Sequence, residues 1–172
     1  DDGREGHLLG GRVEFHPLGE VAREHGDFAR GPLRVTVGAG AYAWRSDGDS
    51  EATESAVGVS RVSGVEISGA LRGGGLSVDA EFEHVSADAR RPFPGDGLYA
   101  RGDTHVRKAS LEVGYMVVRE RFELLTAADG LNTRTFDRTW HRVAVGANWY
   151  VKRHGLKFSF MHRESFRDEG VA

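Results

Sequence analysis

Cysteine is absent from the 172-residue sequence, which contains only four prolines and carries a formal net charge of −3. The chain can therefore form neither disulfide bonds nor a thiolate metal site. The small negative charge gives no general attraction to nucleic acid, and no nucleic-acid partner is expected. The first residues, DDGR, contain no basic segment followed by an apolar one, so any secretory signal is expected to have been removed already or to lie outside this sequence.

Long apolar runs are also missing. No stretch approaches the roughly 18 to 20 apolar residues that a membrane helix needs, and the mean hydropathy is −0.44. This pattern excludes a helical membrane protein, but it leaves open a membrane β-barrel, whose strands need only about 9 to 11 residues with apolar side chains at alternate positions.

About eight segments alternate apolar and polar residues, which is the period of a β-strand with two different faces. The clearest is residues 76–83, where Leu76, Val78, Ala80 and Phe82 alternate with serine and three acidic residues. The others are residues 11–16, 33–44, 64–71, 110–117, 122–124, 142–149 and 156–163. Residues 1–172 are thus expected to form one all-β domain, an antiparallel up-and-down transmembrane β-barrel or a fragment of one.

Loop lengths and aromatic residues favour the membrane interpretation. The connections alternate between long and short, as they do on the two rims of an outer-membrane barrel, except that residues 18–31 form a long connection where a short one is expected. Aromatic residues lie toward the strand ends, with Trp149 and Phe122 near short turns and Trp44, Phe82 and Trp140 near long loops. Two aromatic bands around an aliphatic belt are typical of a barrel at the two membrane interfaces.

Several segments resemble the phosphate-selective porin O and P family. They are RVEFHPLGE at residues 12–20, EHGDF at 24–28, LRVTVGAGAY at 33–42, LEVGYMVV at 111–118, RFELL at 121–125, VAVGANWY at 143–150 and HGLKF at 154–158. The resemblance implies a sixteen-stranded, usually trimeric pore for small anions such as phosphate in the outer membrane of a Gram-negative bacterium. About eight strands make half of such a barrel, so the chain is expected to be the C-terminal half without its last strand or strands. If the chain is instead complete, it is expected to close as a small eight-stranded barrel whose interior is filled by side chains and conducts poorly.

The alternation also assigns side chains to a pore or to lipid. The polar faces are predicted to line the pore through Arg12, Glu14, Arg34, Glu66, Asp79, Glu81, Glu83, Glu112, Arg142, Asn148, Lys157 and Arg163. The apolar faces are predicted to contact lipid through Val35, Val37, Val78, Leu111, Val113, Tyr115, Val145, Trp149, Phe158 and Phe160.

The pore-lining charges separate along the chain into an acidic wall on strands three to five and basic residues on strands seven, eight, one and two. This separation predicts a field across the pore; the alternative is that the charges are solvated sheet residues paired across strands. The acidic wall does not favour the anion preference that the resemblance implies. The loops at residues 45–60 and 86–106 are the candidates for an inward-folded constriction.

No pattern indicates catalysis or a cofactor. The eight histidines are scattered without metal-ligand spacing, and neither a nucleophile elbow nor a phosphate-binding loop occurs. The acidic loop at residues 47–51 lacks the glycine and distal glutamate of a calcium-binding EF-hand.

Two other functions remain open on the sequence alone. One is a soluble antiparallel barrel that binds a small apolar ligand, which predicts that Val78, Phe82, Val145 and Phe158 pack together inside. The other is a non-conducting structural barrel in an envelope assembly. The membrane interpretation predicts lipid and small hydrophilic or anionic solutes as partners, and by resemblance a homo-oligomer.

Overall fold

The computed structural model describes residues 6–21, 26–45, 59–89, 104–133, 139–152 and 155–166. They form one antiparallel sheet of eight strands, in which each strand pairs with its neighbours in sequence. The strands are β1 His7–Phe15, β2 Arg34–Arg45, β3 Val59–Gly73, β4 Leu76–Ala89, β5 Thr104–Val118, β6 Phe122–Thr133, β7 Trp140–Tyr150 and β8 Lys157–Phe166. The prediction of an all-β, up-and-down antiparallel architecture is therefore confirmed.

The strand register divides the side chains into two faces, because direct cross-strand partners lie on the same face and successive residues on opposite faces. One row of partners runs through Thr36, Ala70, Asp79, Glu112 and on through Ala127, Ala144 and Arg163. The adjacent row on the other face runs through Val35, Leu71, Val78, Val113 and on through Thr126, Val145 and His162. One face is thus polar and the other apolar.

The sheet curls toward its polar face. A cavity of about 550 Å³ on that side is lined by residues of all eight strands, including Arg12 on β1 and Arg163 on β8. Side chains there also reach across an intervening strand, as when Arg12 on β1 donates a hydrogen bond to Ser68 on β3 at 2.8 Å. We call the polar side the concave face and the apolar side the outer face.

Within the described residues the sheet does not close, since β1 and β8 each pair with one neighbour only. The structure therefore shows a curved eight-stranded sheet, and the closed barrel stays a prediction. Both edge strands are exposed along their whole length.

The connections after β2, β3, β4 and β5 follow the predicted alternation between long and short, whereas those after β6 and β7 have six residues each, so the predicted contrast between these two is absent. Gly74 and Gly75 have φ values of 62° and 92° and form a two-residue hairpin turn, for which positive φ at both central residues is required. The connection between β1 and β2 is again the exception, since it joins these strands at the same rim as this tight turn but is eighteen residues long.

Several strands extend beyond the segments predicted from the alternation. β1 begins at His7 and not at residue 11, β3 begins at Val59 and not at residue 64, and β5 begins at Thr104 and not at residue 110. At their other ends, β4 continues to Ala89 beyond residue 83 and β6 continues to Thr133 beyond residue 124. The described residues contain no helix that is long and apolar enough to cross a membrane.

Candidate functional site: the concave face

All twelve residues predicted to line a pore lie on the concave face. The strand register places them, beginning with Arg12, Glu14 and Arg34 on the first two strands, in rows of direct cross-strand partners. One such row contains Asp79, Glu112 and Arg163. The structure thus brings together side chains that are up to about 150 residues apart in the sequence.

All ten residues predicted to contact lipid lie on the opposite, outer face. Seven of them are exposed, and Val35, Val78 and Val113 are half-buried between neighbouring outer-face side chains. A soluble ligand-binding barrel requires Val78, Phe82, Val145 and Phe158 in its interior. In this sheet all four lie on the outer face, where Val78 is half-buried and the other three are exposed. The packed apolar interior of that alternative is therefore absent from the described part of the sheet.

The two predicted aromatic bands need a correction. Trp44 shares the concave face with Tyr42, and Trp140 shares it with Arg142, whose guanidinium carbon lies 5.2 Å from the centre of the Trp140 ring. The alternation agrees with this placement, because Trp44 lies an even number of residues from Arg34 and Trp140 an even number from Arg142. Closeness to a strand end does not determine the face. Phe82, Phe122 and Trp149 do lie on the outer face.

Three ion pairs on the concave face join neighbouring strands. Arg72 Nη2 lies 2.8 Å from Asp79 Oδ2, Lys108 Nζ lies 2.9 Å from Glu81 Oε1, and the same distance separates Arg142 Nε from Asp129 Oδ2. On the first three strands, Arg12 pairs with both Glu14 and Glu66. These contacts support the alternative in which the charges pair across strands.

The predicted acidic wall is interrupted by two cations that the sequence pattern did not assign to it. Arg72 on β3 and Lys108 on β5 both contact carboxylates of β4. The eight described strands present seven cations and eight carboxylates on the concave face. The cations are Arg12, Arg34, Arg72, Lys108, Arg142, Lys157 and Arg163. The carboxylates are Glu14, Glu66, Asp79, Glu81, Glu83, Glu112, Glu123 and Asp129. The face is therefore close to electroneutral.

A buried carboxylate lies near the short-turn end of the concave face. Glu123 on β6 is only 3% exposed, and its Oε2 accepts hydrogen bonds from the Tyr150 hydroxyl at 2.6 Å and from Asn148 Nδ2 at 2.9 Å. Ser77 donates to its Oε1 at 3.3 Å. A buried charge costs free energy unless hydrogen bonds compensate it, and here three donors do so. The sequence pattern identified Asn148 in this cluster but neither Glu123 nor Tyr150.

Small side chains leave the cavity open in the middle of the concave face. The row between Asp79 and Arg163 passes through Ala127 and Ala144, and the adjacent row contributes Ser68 and Ser110. The long charged residues stand around this floor instead of filling it. The space is therefore polar at its walls and wide enough for water and small solutes.

The two loops proposed as constrictions lie mostly outside the described residues, as does the acidic segment at 47–51. Among the residues that are described, no three histidine or acidic side chains are grouped as a metal site would require.

Comparisons with known proteins give no assignment. No protein-family model matches the sequence, and neither a curated protein nor a solved structure matches it significantly.

Proposed function

We propose that the chain forms part of the wall of a water-filled pore in the outer membrane of a Gram-negative bacterium, through which small hydrophilic solutes diffuse passively. The observation that carries this proposal is the inverted distribution of polarity. Among the described residues, twenty-five large apolar side chains are exposed, whereas the six buried apolar ones include two alanines. Scattered apolar residues are normal on a protein surface, but a whole sheet face of them indicates contact with an apolar environment.

The concave face supports the other half of the proposal. Its charges, its hydroxyl and amide groups and its open floor of alanine and serine suit contact with water. In membrane barrels the side chains alternate between lipid and lumen along each strand, and this sheet has that alternation over all eight strands.

The open edges favour a larger assembly over a closed eight-stranded barrel. The interior of an eight-stranded barrel is just filled by its side chains, whereas this concave face holds long charged residues around a cavity of about 550 Å³. Unpaired backbone groups on β1 and β8 cannot be left in lipid, so further strands must pair with them. A barrel of about sixteen strands, which the resemblance to phosphate-selective porins also implies, satisfies both conditions.

The near balance of charge argues for weak ion selectivity. A strong anion preference requires an excess of cations at the narrowest point of a pore, and the carboxylates of this sheet pair with most of its cations. We therefore propose small hydrophilic solutes in general as the permeating class, with phosphate-type anions among them.

Conductance measurements test the proposal directly. The full-length protein, extracted in detergent and added to a planar lipid bilayer, is expected to produce stepwise increases in current. Purification of a stable protein in the complete absence of detergent, or a bilayer that stays silent at protein concentrations where a known porin conducts, would contradict it.

A further inference from the structure

The connection between β1 and β2 contains a segment, residues 26–33, that crosses the short-turn end of the concave face. Its first anchor is Asp27, whose Oδ2 accepts a hydrogen bond from the backbone nitrogen of Gly75 at 2.7 Å. Nearby, the backbone nitrogen of Gly74 donates to the carbonyl oxygen of Gly31 at 3.1 Å. These contacts attach the segment to the turn between β3 and β4.

Its second anchor is Arg30, which contacts the end of β5. The guanidinium donates hydrogen bonds to the carbonyl oxygens of Met116 and Val117, the latter at 2.9 Å. Arg30 has a φ of 49°, a left-handed conformation that is unfavourable for a residue with a Cβ atom.

Its third anchor is Phe28, which reaches β7. The Phe28 and Tyr150 rings pack edge to face with their centres 4.7 Å apart, and a Cβ atom on Gly26 would lie 3.1 Å from Glu123 Oε1. The segment thus extends from the β3–β4 turn to the end of β7, across the end of the concave face.

The side chains beneath the segment are buried by it. Met116 and Tyr150 both point toward the concave face and have exposures of 0% and 1%, although they stand at the rim of a sheet whose centre is open. Two further residues of the same connection, Glu20 and Val21, line the cavity itself. The connection is therefore part of the boundary of the cavity at that end.

We propose that the 26–33 segment is a constriction that narrows the pore at its short-turn end and limits the size of the solutes that pass. This inference rests on the proposed pore and adds the element that sets its width. This role gives a reason for the long β1–β2 connection on a rim of shorter ones, since a short turn after β1 could not extend to β7.

The test combines solute passage with chemical accessibility. The double variant Asp27→Ala/Phe28→Ala removes the first and third anchors, and Leu18→Ala, an exposed residue of the same connection, is the control. The double variant is expected to raise single-channel conductance about twofold or more and to admit larger neutral polymers, because the cross-section at the narrowest point increases. Arg30→Gly, which removes the guanidinium without requiring a Cβ in the left-handed conformation, is expected to act in the same direction with a smaller effect.

The second readout does not depend on conduction. Because the native chain has no cysteine, Met116→Cys provides a single thiol beneath the segment. A hydrophilic maleimide is expected to label it about tenfold faster in the double variant than in the control, because the covering segment opens more often. Faster labelling of the double variant together with its higher conductance supports the proposal. Faster labelling also supports it if the double variant conducts and the native protein does not.

Unchanged labelling overturns the proposal, and so does faster labelling without any change in conductance, since the segment would then cover Met116 without limiting passage. If neither the native protein nor the double variant conducts, the proposed pore itself fails, and labelling then reports only whether the segment covers the end of the sheet.

Discussion

The Tyr150 hydroxyl donates a 2.6 Å hydrogen bond to the Glu123 carboxylate, and both side chains are buried on the concave face of the sheet. The bond joins β6 to β7, and the ring of the same tyrosine packs edge to face against Phe28. A hydrogen bond to a buried charge contributes more than one between neutral groups, because the carboxylate would otherwise be left without a full set of donors.

Removing that hydroxyl is expected to destabilise the protein. Tyr150→Phe keeps the ring that contacts Phe28 and should lower the free energy of unfolding by about 1.5 to 3 kcal/mol. Urea unfolding of the protein refolded in lipid vesicles measures the change. Tyr115→Phe is the matched control, because Tyr115 is exposed on the outer face, and a change of less than about 0.5 kcal/mol is expected there. Equal effects of the two substitutions would contradict a stabilising role for the buried cluster.

Gly114 is expected to accept a side chain only with a loss of stability, because it lies against the same carboxylate. A Cβ atom there would be 2.5 Å from both Glu123 Oε1 and Ser77 Oγ, whereas on Gly69 of β3 its nearest neighbour would be 4.0 Å away. Gly114→Ala should therefore cost about 1 to 3 kcal/mol, and Gly69→Ala should be neutral or slightly stabilising. The same unfolding measurement compares the two, and a harmless Gly114→Ala would contradict the position assigned to Glu123.

Two valines of similar exposure distinguish lipid from water on the outer face. Val145 lies at the middle of β7 and is 56% exposed, whereas Val151 lies just beyond the strand end and is 58% exposed. If the outer face contacts lipid, Val145→Arg should cost about 2 to 4 kcal/mol and Val151→Arg at most about 1 kcal/mol. In water both substitutions should change stability by less than about 0.5 kcal/mol. Unfolding of each variant in vesicles gives the difference, and its absence counts against a membrane location.

Neighbouring residues on β8 test which face lines the pore. Arg163 belongs to the concave face and Glu164 to the outer face. Arg163→Gln should shift the cation-to-anion permeability ratio toward cations by a factor of about 1.5 to 3, since a cation is lost from the lumen. Glu164→Gln changes a charge on the other side of the wall and should leave the ratio unchanged. Reversal potentials in a potassium chloride gradient measure both, and a larger effect of Glu164→Gln would reverse the assignment of the faces.

The faces of the strands could be predicted from the sequence because their signal is local. Within residues 76–83 the face of each side chain follows from a comparison of its polarity with that of its immediate neighbours. The same comparison predicted the correct face for all twelve polar and all ten apolar positions. Strand limits were less predictable. Residues 127–130, AADG, have low strand propensity, yet they belong to β6 because Ala127 pairs with Glu112 and Ala144, and Asp129 forms an ion pair with Arg142.

The pairing of charges could not be predicted in the same way. Alternation gives the face of a residue but not its row, and the row depends on the register between strands. Lys108 lies beside Glu81 because of the β4–β5 register, and so the acidic wall expected from the sequence includes cations. The position of the 26–33 segment was equally invisible, since Phe28 and Tyr150 are separated by more than a hundred residues.

The contacts of the 26–33 segment have a consequence for the order of assembly. Each strand pairs only with its sequence neighbours, so the sheet can grow one hairpin at a time. Phe28, however, meets Tyr150 only after β7 has been added. We therefore expect docking of the segment to be a late folding event, so that burial of Met116 would report a finished sheet and not an early hairpin.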